Sequence, residues 1–526
     1  MEKFKVCILA AGVGSRMGAL SQHINKAVLP INFKAVITHI IEKFTPDIEI
    51  VIAVGHKKKT IIEYLEMAHP ARKITFVEIS KYMGPGTGPG VSLLKCRDSL
   101  QCPFIFFAAD TIVLEEIPTP DKNWFGIAPV KDPEKYCTVK IRENLVYEID
   151  DKIKTNNKFA FIGLAGIYDF EDFFSALERN KEPISGEIQV SNGFKQLLEK
   201  KLEPIGFTWF DSGTLKNYTE TNKNLSGSEK KFDFSKGNEF LYFVNGRVIK
   251  YFADSEIVEK RCERAKLLKG LCPRIEAQTD NFYAYKKFDG HVLYNMLNNE
   301  IFNNFLQWAN TKLWKKQKLN KKEQKEFYLA CKKFYYDKTV NRLDMFYDKT
   351  GVTDTDNKVN GTQTPSLKHL FSIIDWDIFF DGIPTTIHGD LQFDNVLVTR
   401  DEANQLDKFI LLDWRQDFGG LTKTGDLYYD LAKLYGGMIL SYQLIKEGKF
   451  TFDLSGSSVY YNYYIKNDLL EAKEIFEQFL KTNGYNLEKV KIMTGLIFLN
   501  MSPLHQDPFD HLLYFLGKSM LYRNLI

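Results

Sequence analysis

Four short apolar runs, residues 4–10, 48–54, 74–79 and 104–108, are rich in Val, Ile and Phe, and amphipathic stretches separate most of them. Each run is apolar on nearly every residue, so a sheet built from them must be covered on both faces. Alternation of such strands with helices restricts the first 220 residues to an α/β architecture with a mostly parallel sheet and helices on both faces. Ligands in sheets of this kind sit at the carboxyl ends of the strands.

The chain has 526 residues, too many for one compact core, so several folding units are expected. Hydrophobic residues make up 44% and charged residues 26%, as in ordinary soluble proteins. A formal net charge of +3, with the lysine-rich patches at 57–59 and 315–325 offset by acids elsewhere, makes nucleic acid an unexpected partner. The seven cysteines form no C-x-x-C pair, which suits a reducing cytosol. The apolar run at the start is too short for a signal peptide, and no stretch approaches the 18 or so residues of a membrane span. A cytoplasmic protein without a membrane partner is expected.

Around residues 222–237 the sequence turns polar and glycine-containing, which marks a linker and places a domain boundary at 225/226. Strand patterns resume at 239–244 and 247–252, and after about residue 290 the chain becomes aromatic-rich and helical. Strands followed by helices predict an α+β unit with a small sheet lobe, about 232–288, and a helical lobe, about 289–526.

The first strand runs into Leu9-Ala10-Ala11-Gly12-Val13-Gly14-Ser15-Arg16-Met17-Gly18, and Asn25-Lys26-Ala27-Val28-Leu29-Pro30 follows. Glycines there let backbone N–H groups cradle a phosphate chain, although a tight turn alone uses the same pattern. The two segments resemble the opening of the sugar-phosphate nucleotidyltransferases and the related phosphocholine cytidylyltransferases. So do, in order, Val54-Gly55-His56-Lys57, the glycine loop 84–90, Phe107-Ala108-Ala109-Asp110-Thr111 and Trp209-Phe210-Asp211-Ser212-Gly213-Thr214. The resemblance covers about residues 1–225 and implies a Rossmann-like fold. It also implies that Ala10, Ala11, Gly12, Gly14, Gly86 and Gly88 bind nucleotide. Arg16 and Lys26 would act on the phosphates, with Asp110 and Asp211 holding Mg²⁺. Glu187 matches a residue that binds substrate hydroxyls, and an exposed glutamate at a helix start fits it equally.

The second half contains Ile387-His388-Gly389-Asp390-Leu391-Gln392-Phe393-Asp394-Asn395, then an apolar run leading into Asp413-Trp414. This resembles the H-G-D-x-x-x-x-N loop and the downstream metal aspartate of the aminoglycoside phosphotransferases and choline kinases, and implies a two-lobed, protein-kinase-like domain. By that resemblance Asp390 receives the acceptor's proton, Asn395 and Asp413 hold Mg²⁺, and His388 and Asp430 position the loop. Lys250 would bind the ATP phosphates, with Glu259 as its partner and Glu263 as the alternative. The Ser235-Lys236-Gly237-Asn238 segment is then a candidate nucleotide loop, and 282–288 the strand and hinge for the adenine. His505 is a candidate acceptor-pocket residue.

A kinase makes a phosphate monoester and a nucleotidyltransferase consumes one. The two resemblances together imply a bifunctional enzyme that uses ATP and then a second triphosphate, CTP or UTP, for surface-glycan or headgroup assembly. Sugars or polyols suit Glu187 and the Trp209–Thr214 segment. Choline-like amino alcohols suit the kinase family and call for an aromatic cage, for which Trp308, Trp314, Trp376, Tyr460, Tyr461 and Tyr463 are candidates.

Overall fold

A computed structural model of the protein describes residues 4–226, 237–400 and 407–526. These divide into two compact units. One is built on residues 4–226, 237–254 and 277–284, and the other on 255–276, 285–400 and 407–526. The linker expected over 222–237 falls mostly outside the described residues, as do Ser235 and Lys236 of the candidate nucleotide loop.

In the first unit a nine-stranded sheet has four parallel strands at its heart, in the order Phe104–Ala108, Lys5–Ala10, Ile50–Val54 and Ile74–Glu78. They coincide with the four apolar runs to within two residues. Alternate side chains enter separate cores. Val6, Ile8, Ile50, Ile52, Ile105 and Phe107 join one, whereas Cys7, Val51, Ala53, Phe104 and Phe106 join the other. Helix Lys58–Ala68 covers the first face through Ile61, Tyr64 and Leu65. Helices Phe170–Arg179 and Ser191–Leu197 cover the second through Phe173, Phe174, Phe194 and Leu197. Burial on both sides explains why the strands lack polar alternation.

From Lys5–Ala10 the chain builds outward through Ile50–Val54 and Ile74–Glu78, then returns to lay Phe104–Ala108 on the opposite side. The crevice opened by that reversal, at the carboxyl ends of Lys5–Ala10 and Phe104–Ala108, is where a ligand site is expected in an open α/β sheet. Phe159–Ile167 then pairs antiparallel with Phe104–Ala108 and begins a mixed edge.

Strands Glu239–Val244 and Arg247–Phe252 form where the sequence predicts them, paired antiparallel. They pack within the first unit. The buried Tyr242 donates its hydroxyl hydrogen bond to the Val28 carbonyl at 2.8 Å, and its ring lies 4.8 Å from that of Tyr64. Tyr251 donates likewise to the His23 carbonyl at 2.8 Å. Asn245 and Arg247 satisfy the carbonyls of Ala68 and Met67 at the end of helix Lys58–Ala68, where intrahelical donors run out.

The second unit is chiefly helical around one large core. Helices Leu487–Met501 and Phe509–Leu525 approach closely enough that a Cβ at Gly517 would lie 2.7 Å from the Gly495 carbonyl oxygen. This unit also has features that the expectation of a helical lobe did not include. Phe450–Ser455 and Ser458–Tyr463 form a hairpin that joins Asn357–Val359 and Thr362–Thr364 in a four-stranded sheet. Gly456, at φ 57°, makes the left-handed turn, and the aromatic alternation through Tyr461 and Tyr463 has the two-residue period of a strand. All seven cysteines are free, and no helix among the described residues is long and apolar enough to cross a membrane.

Replacing Tyr242 by Phe strands the Val28 carbonyl in the core without its donor. The first unit should lose about 1–2 kcal/mol of stability, read as an earlier thermal transition, whereas Tyr242→Ala should lose about 3–5 kcal/mol.

Candidate functional site

At the crevice of the first unit, Asn25 ties three segments together. Its amide donates to the Ala10 carbonyl at 3.0 Å and the His56 carbonyl at 2.8 Å, and its side-chain oxygen accepts from Ala27 N–H at 2.9 Å. This fixes the turn that presents Lys26 beside the loop after strand Lys5–Ala10. Gly14 takes the left-handed conformation at φ 69°, and a Cβ there would touch the Lys26 stem at 3.4 Å.

Lys26 Nζ bonds Asp110 Oδ2 at 2.5 Å, in the turn after strand Phe104–Ala108. Asp211 ends strand Trp209–Asp211, which pairs Asp211 opposite Thr111. One point in space sits against the whole group. A Cβ on Gly213 would lie 3.0 Å from Asp110 Oδ2, 3.0 Å from Asp211 Oδ1 and 3.5 Å from Arg16 Nη2. Arg16, Lys26, Asp110 and Asp211, drawn from sequence positions almost 200 apart, therefore converge.

Burial pushes both carboxyls up. At Asp110 the Lys26 charge and hydrogen bond, aided by Arg16, outweigh it, and the carboxyl is held below its usual range. At Asp211 burial and the negative charge of Asp110 win over hydrogen bonds from Gly213 N–H and Asn217, and the carboxyl is raised. Two carboxylates repelling each other beside a fixed cation are a donor set that suits Mg²⁺, which prefers carboxylate oxygens and keeps several waters. Asp110 and Asp211 are the residues that would hold it.

The glycine loop meets the Glu187 segment. Ile188 N–H donates to the Thr87 carbonyl at 2.9 Å, and Gly90 N–H to the Ile188 carbonyl at 2.8 Å. Gly88 has φ 137°, and a Cβ there would lie 2.5 Å from the Ile188 oxygen. Glycine is thus required at 88, whereas Gly86, at φ 76°, has open space around it. Glu187 itself is exposed beside this loop.

In the second unit, hairpin Val396–Arg400 and Asp407–Leu411 places the loop before it next to Asp413 after it. Asp430 anchors that loop. Its two oxygens accept from His388 N–H at 2.7 Å, Gly389 N–H at 2.8 Å and the Trp314 indole at 3.2 Å. Burial raises its carboxyl to about 6 despite those bonds. His388 is fully buried. Its Nδ1 accepts from Asp390 N–H and its Nε2 faces the Leu412 carbonyl, and burial lowers it to about 4. A neutral ring that bridges two backbone groups is a positioning element. Asn395 donates its amide to the Asp390 carbonyl at 2.9 Å, and Asp413 adopts φ 58°, uncommon for a non-glycine residue.

Asp390 pairs with Lys433 Nζ at 2.7 Å. Burial pushes the Asp390 carboxyl up, but Lys433 holds it below its usual range. The sequence reasoning missed Lys433, although it stands three residues after Asp430 on helix Leu427–Ile439 and so on the same face. It also missed Arg261, whose guanidinium reaches Asp413 Oδ1 at 3.1 Å, and Arg264, which donates to the Ile387 and Arg415 carbonyls on either side of the loop.

Other candidates are placed as follows. Lys250 is buried on strand Arg247–Phe252 of the first unit, whereas Glu259 is exposed on helix Ser255–Leu267 of the second. The His505 ring lies 4.9 Å from that of Phe509 and 6.4 Å from that of Tyr442. The tryptophans make no cage. Trp308 packs on Phe305 and Phe409, Trp314 binds Asp430, and Trp376 packs among Phe371, Phe379 and Phe380.

Removing the Asp430 carboxylate leaves two backbone N–H groups of the loop without acceptors. In Asp430→Ala, amide exchange at residues 388–390 should quicken by at least about tenfold, as expected for the loss of 1–3 kcal/mol of buried hydrogen bonding. Amides of strand Lys5–Ala10 should be unaffected.

Residues 6–116 match the MobA-like NTP transferase domain. The bifunctional protein GlmU of Methanocaldococcus jannaschii is 32% identical over 226 residues, which is 41% of this chain and 53% of that protein. GlmU of Methanococcus vannielii is 30% identical over 220 residues, 39% of this chain and 51% of that protein. The chain spans about half the length of the curated relatives it matches. Among solved structures, a UDP-glucose pyrophosphorylase of Acinetobacter baumannii is similar at 15% identity and a TM-score of 0.35, over 42% of this chain and 93% of that one. The CTP:phosphocholine cytidylyltransferase LicC of Streptococcus pneumoniae is similar at 19% and 0.35, over 42% and 99%. The family match places an NTP transferase domain of the MobA-like kind over residues 6–116, within the unit that carries the parallel strands.

Proposed function

We propose that the chain is bifunctional. The second half phosphorylates a small hydroxyl-bearing metabolite with ATP. The first transfers a nucleotidyl group, from CTP or UTP, to a phosphorylated small molecule such as a sugar phosphate, and the kinase product is its natural substrate. The domain boundary at 225/226 belongs to this reading, with the transferase before it and the kinase after it. So does the expected place of the product in surface-glycan or headgroup assembly.

In the transferase, a substrate phosphate oxygen attacks the α-phosphorus of the triphosphate, the bond to the β-phosphate oxygen breaks, and pyrophosphate leaves. Both reactants are anions, so the chain must supply positive charge between them. Lys26 does this as a point charge, and Arg16 with its planar fork of donors on the departing phosphates. Mg²⁺ at Asp110 and Asp211 would neutralise phosphate charge. Gly86 and Gly88 let the loop approach the base, and Glu187 beside them offers a carboxylate to substrate hydroxyls, which favours a sugar or polyol phosphate.

In the kinase, the acceptor oxygen bonds the γ-phosphorus, the bond to the β-phosphate oxygen breaks, ADP leaves, and the acceptor's proton goes to Asp390. The observation that carries this reading is the loop geometry, in which Asp430 anchors His388 and Gly389, Asn395 bonds the Asp390 carbonyl, and Lys433 holds the Asp390 carboxylate at 2.7 Å. Asn395 and Asp413 would hold Mg²⁺. His505 would border the acceptor. Choline or ethanolamine as the acceptor, with a phosphocholine-type cytidylyltransferase, is the competing reading.

Mass spectrometry of products formed from a metabolite extract with ATP and all four triphosphates should reveal a phosphorylated acceptor and its nucleotidyl derivative. Asp390→Asn should abolish the first product while leaving nucleotidyl transfer to supplied phosphoester. Lys26→Ala should do the reverse, slowing nucleotidyl transfer by about 10²–10³. Loss of both activities in either folded variant would refute two independent sites.

A further inference from the structure

Positive charge gathers around Asp390 beyond what one carboxylate needs. Lys433 already pairs with it. Arg415 crowds the same loop: its backbone N–H donates to the His388 carbonyl at 3.0 Å, and a Cβ on Gly389 would lie 2.7 Å from the Arg415 Cβ. Lys338 and Arg342 stand one turn apart on helix Lys338–Thr350, so they share a face. Phe334 joins the two groups. Lys338 Nζ lies 4.2 Å from the centre of its ring and Arg415 Cζ lies 5.0 Å from it.

None of Lys338, Arg342 and Arg415 forms an ion pair with a carboxylate among the described residues. Arg342 has a long contact to Met345 sulfur at 3.8 Å, and the buried Nε of Arg415 has no hydrogen-bond partner. The aromatic ring attracts each cation it faces, but it removes no charge. All three are half-buried. Burial and repulsion from Arg415, Lys433 and Arg342 depress Lys338 far below a free lysine, with Asp390 acting in the opposite sense. Like charges held close in a half-buried site are costly unless a counter-charge arrives, and the carboxylate that acts on Lys338, Asp390, is already paired with Lys433.

Resting on the kinase reading above, we infer that this cluster is the acceptor's subsite, and that the molecule phosphorylated at Asp390 carries a carboxylate or phosphate beside its hydroxyl. The hydroxyl must touch Asp390 to lose its proton, so the rest of the acceptor lies within reach of the groups around Asp390. Lys338 and Arg342 would neutralise its anionic group, with Arg415 adding the planar fork that matches carboxylate or phosphate. A quaternary ammonium acceptor would meet four cations there. The product would carry two anionic groups, one of them the new phosphate passed on to nucleotidyl transfer.

Two measurements on the full chain separate this inference from the kinase reading. The first saturates the protein with Mg²⁺ and a non-hydrolysable ATP analogue and titrates inorganic phosphate by calorimetry. Binding should weaken by about tenfold in Lys338→Met and in Arg342→Met, the loss of one charge-assisted contact, and persist in Lys26→Ala. Equal binding in wild type and both variants would overturn the anion site. The second supplies glycerol, glycerate, glycerol 3-phosphate and choline with ATP. The anionic members should be preferred, and both variants should raise acceptor KM about tenfold with kcat and the KM for ATP little changed. Preference for choline or glycerol, or a rise in the KM for ATP instead, would overturn the inference while leaving the kinase standing. Phosphoryl transfer to none of the four, with phosphate binding still dependent on Lys338, would sink the kinase reading and leave the anion subsite in place.

Discussion

In each half of this molecule one lysine pairs with a part-buried carboxylate and favours its charged form. Burial alone would drive Asp110 and Asp390 toward the protonated form, and Lys26 and Lys433 reverse that at 2.5 and 2.7 Å. Everything else at the two sites depends on those charges. A neutral Asp110 would no longer repel Asp211, and the pair would lose its claim on a divalent cation. The scaffolding follows the same requirement, since Asn25 holds the Lys26 turn and Asp430 holds the Asp390 loop by hydrogen bonds to backbone groups.

The first site was largely legible because its parts are short local patterns at strand ends. The parallel strands announce themselves by unbroken apolar runs, Gly14 and Asp110 follow two of them, and Lys26 and Asp211 each sit in a short local pattern of their own. The convergence at Gly213 was not legible, because it joins residues almost 200 positions apart and no periodicity encodes it.

The second site was legible along the loop and blind across it. His388, Gly389, Asp390 and Asn395 are neighbours in sequence, and a single loop imposes their spacing. The cations that act on Asp390, Lys433 and Arg415, come from other elements and look like ordinary surface cations one by one. The tryptophans among the aromatic candidates take the core role that composition alone favours. A core of this size absorbs Trp308, Trp314 and Trp376 as packing and as a donor to Asp430, and composition does not distinguish a ring in a cage from a ring in a core. The strand pattern at 239–252 was read correctly, but an amphipathic strand does not say what will cover its apolar side, and that proved to be Tyr64 and the Val28 turn.

The placement of that small sheet reaches beyond local packing. Residues 237–254 and 277–284 belong to the first compact unit and 255–276 to the second, so the backbone passes from one to the other more than once. Severing the gene after residue 225 would remove Tyr242 and Tyr251 from the core they complete and leave an apolar scar on the remaining piece.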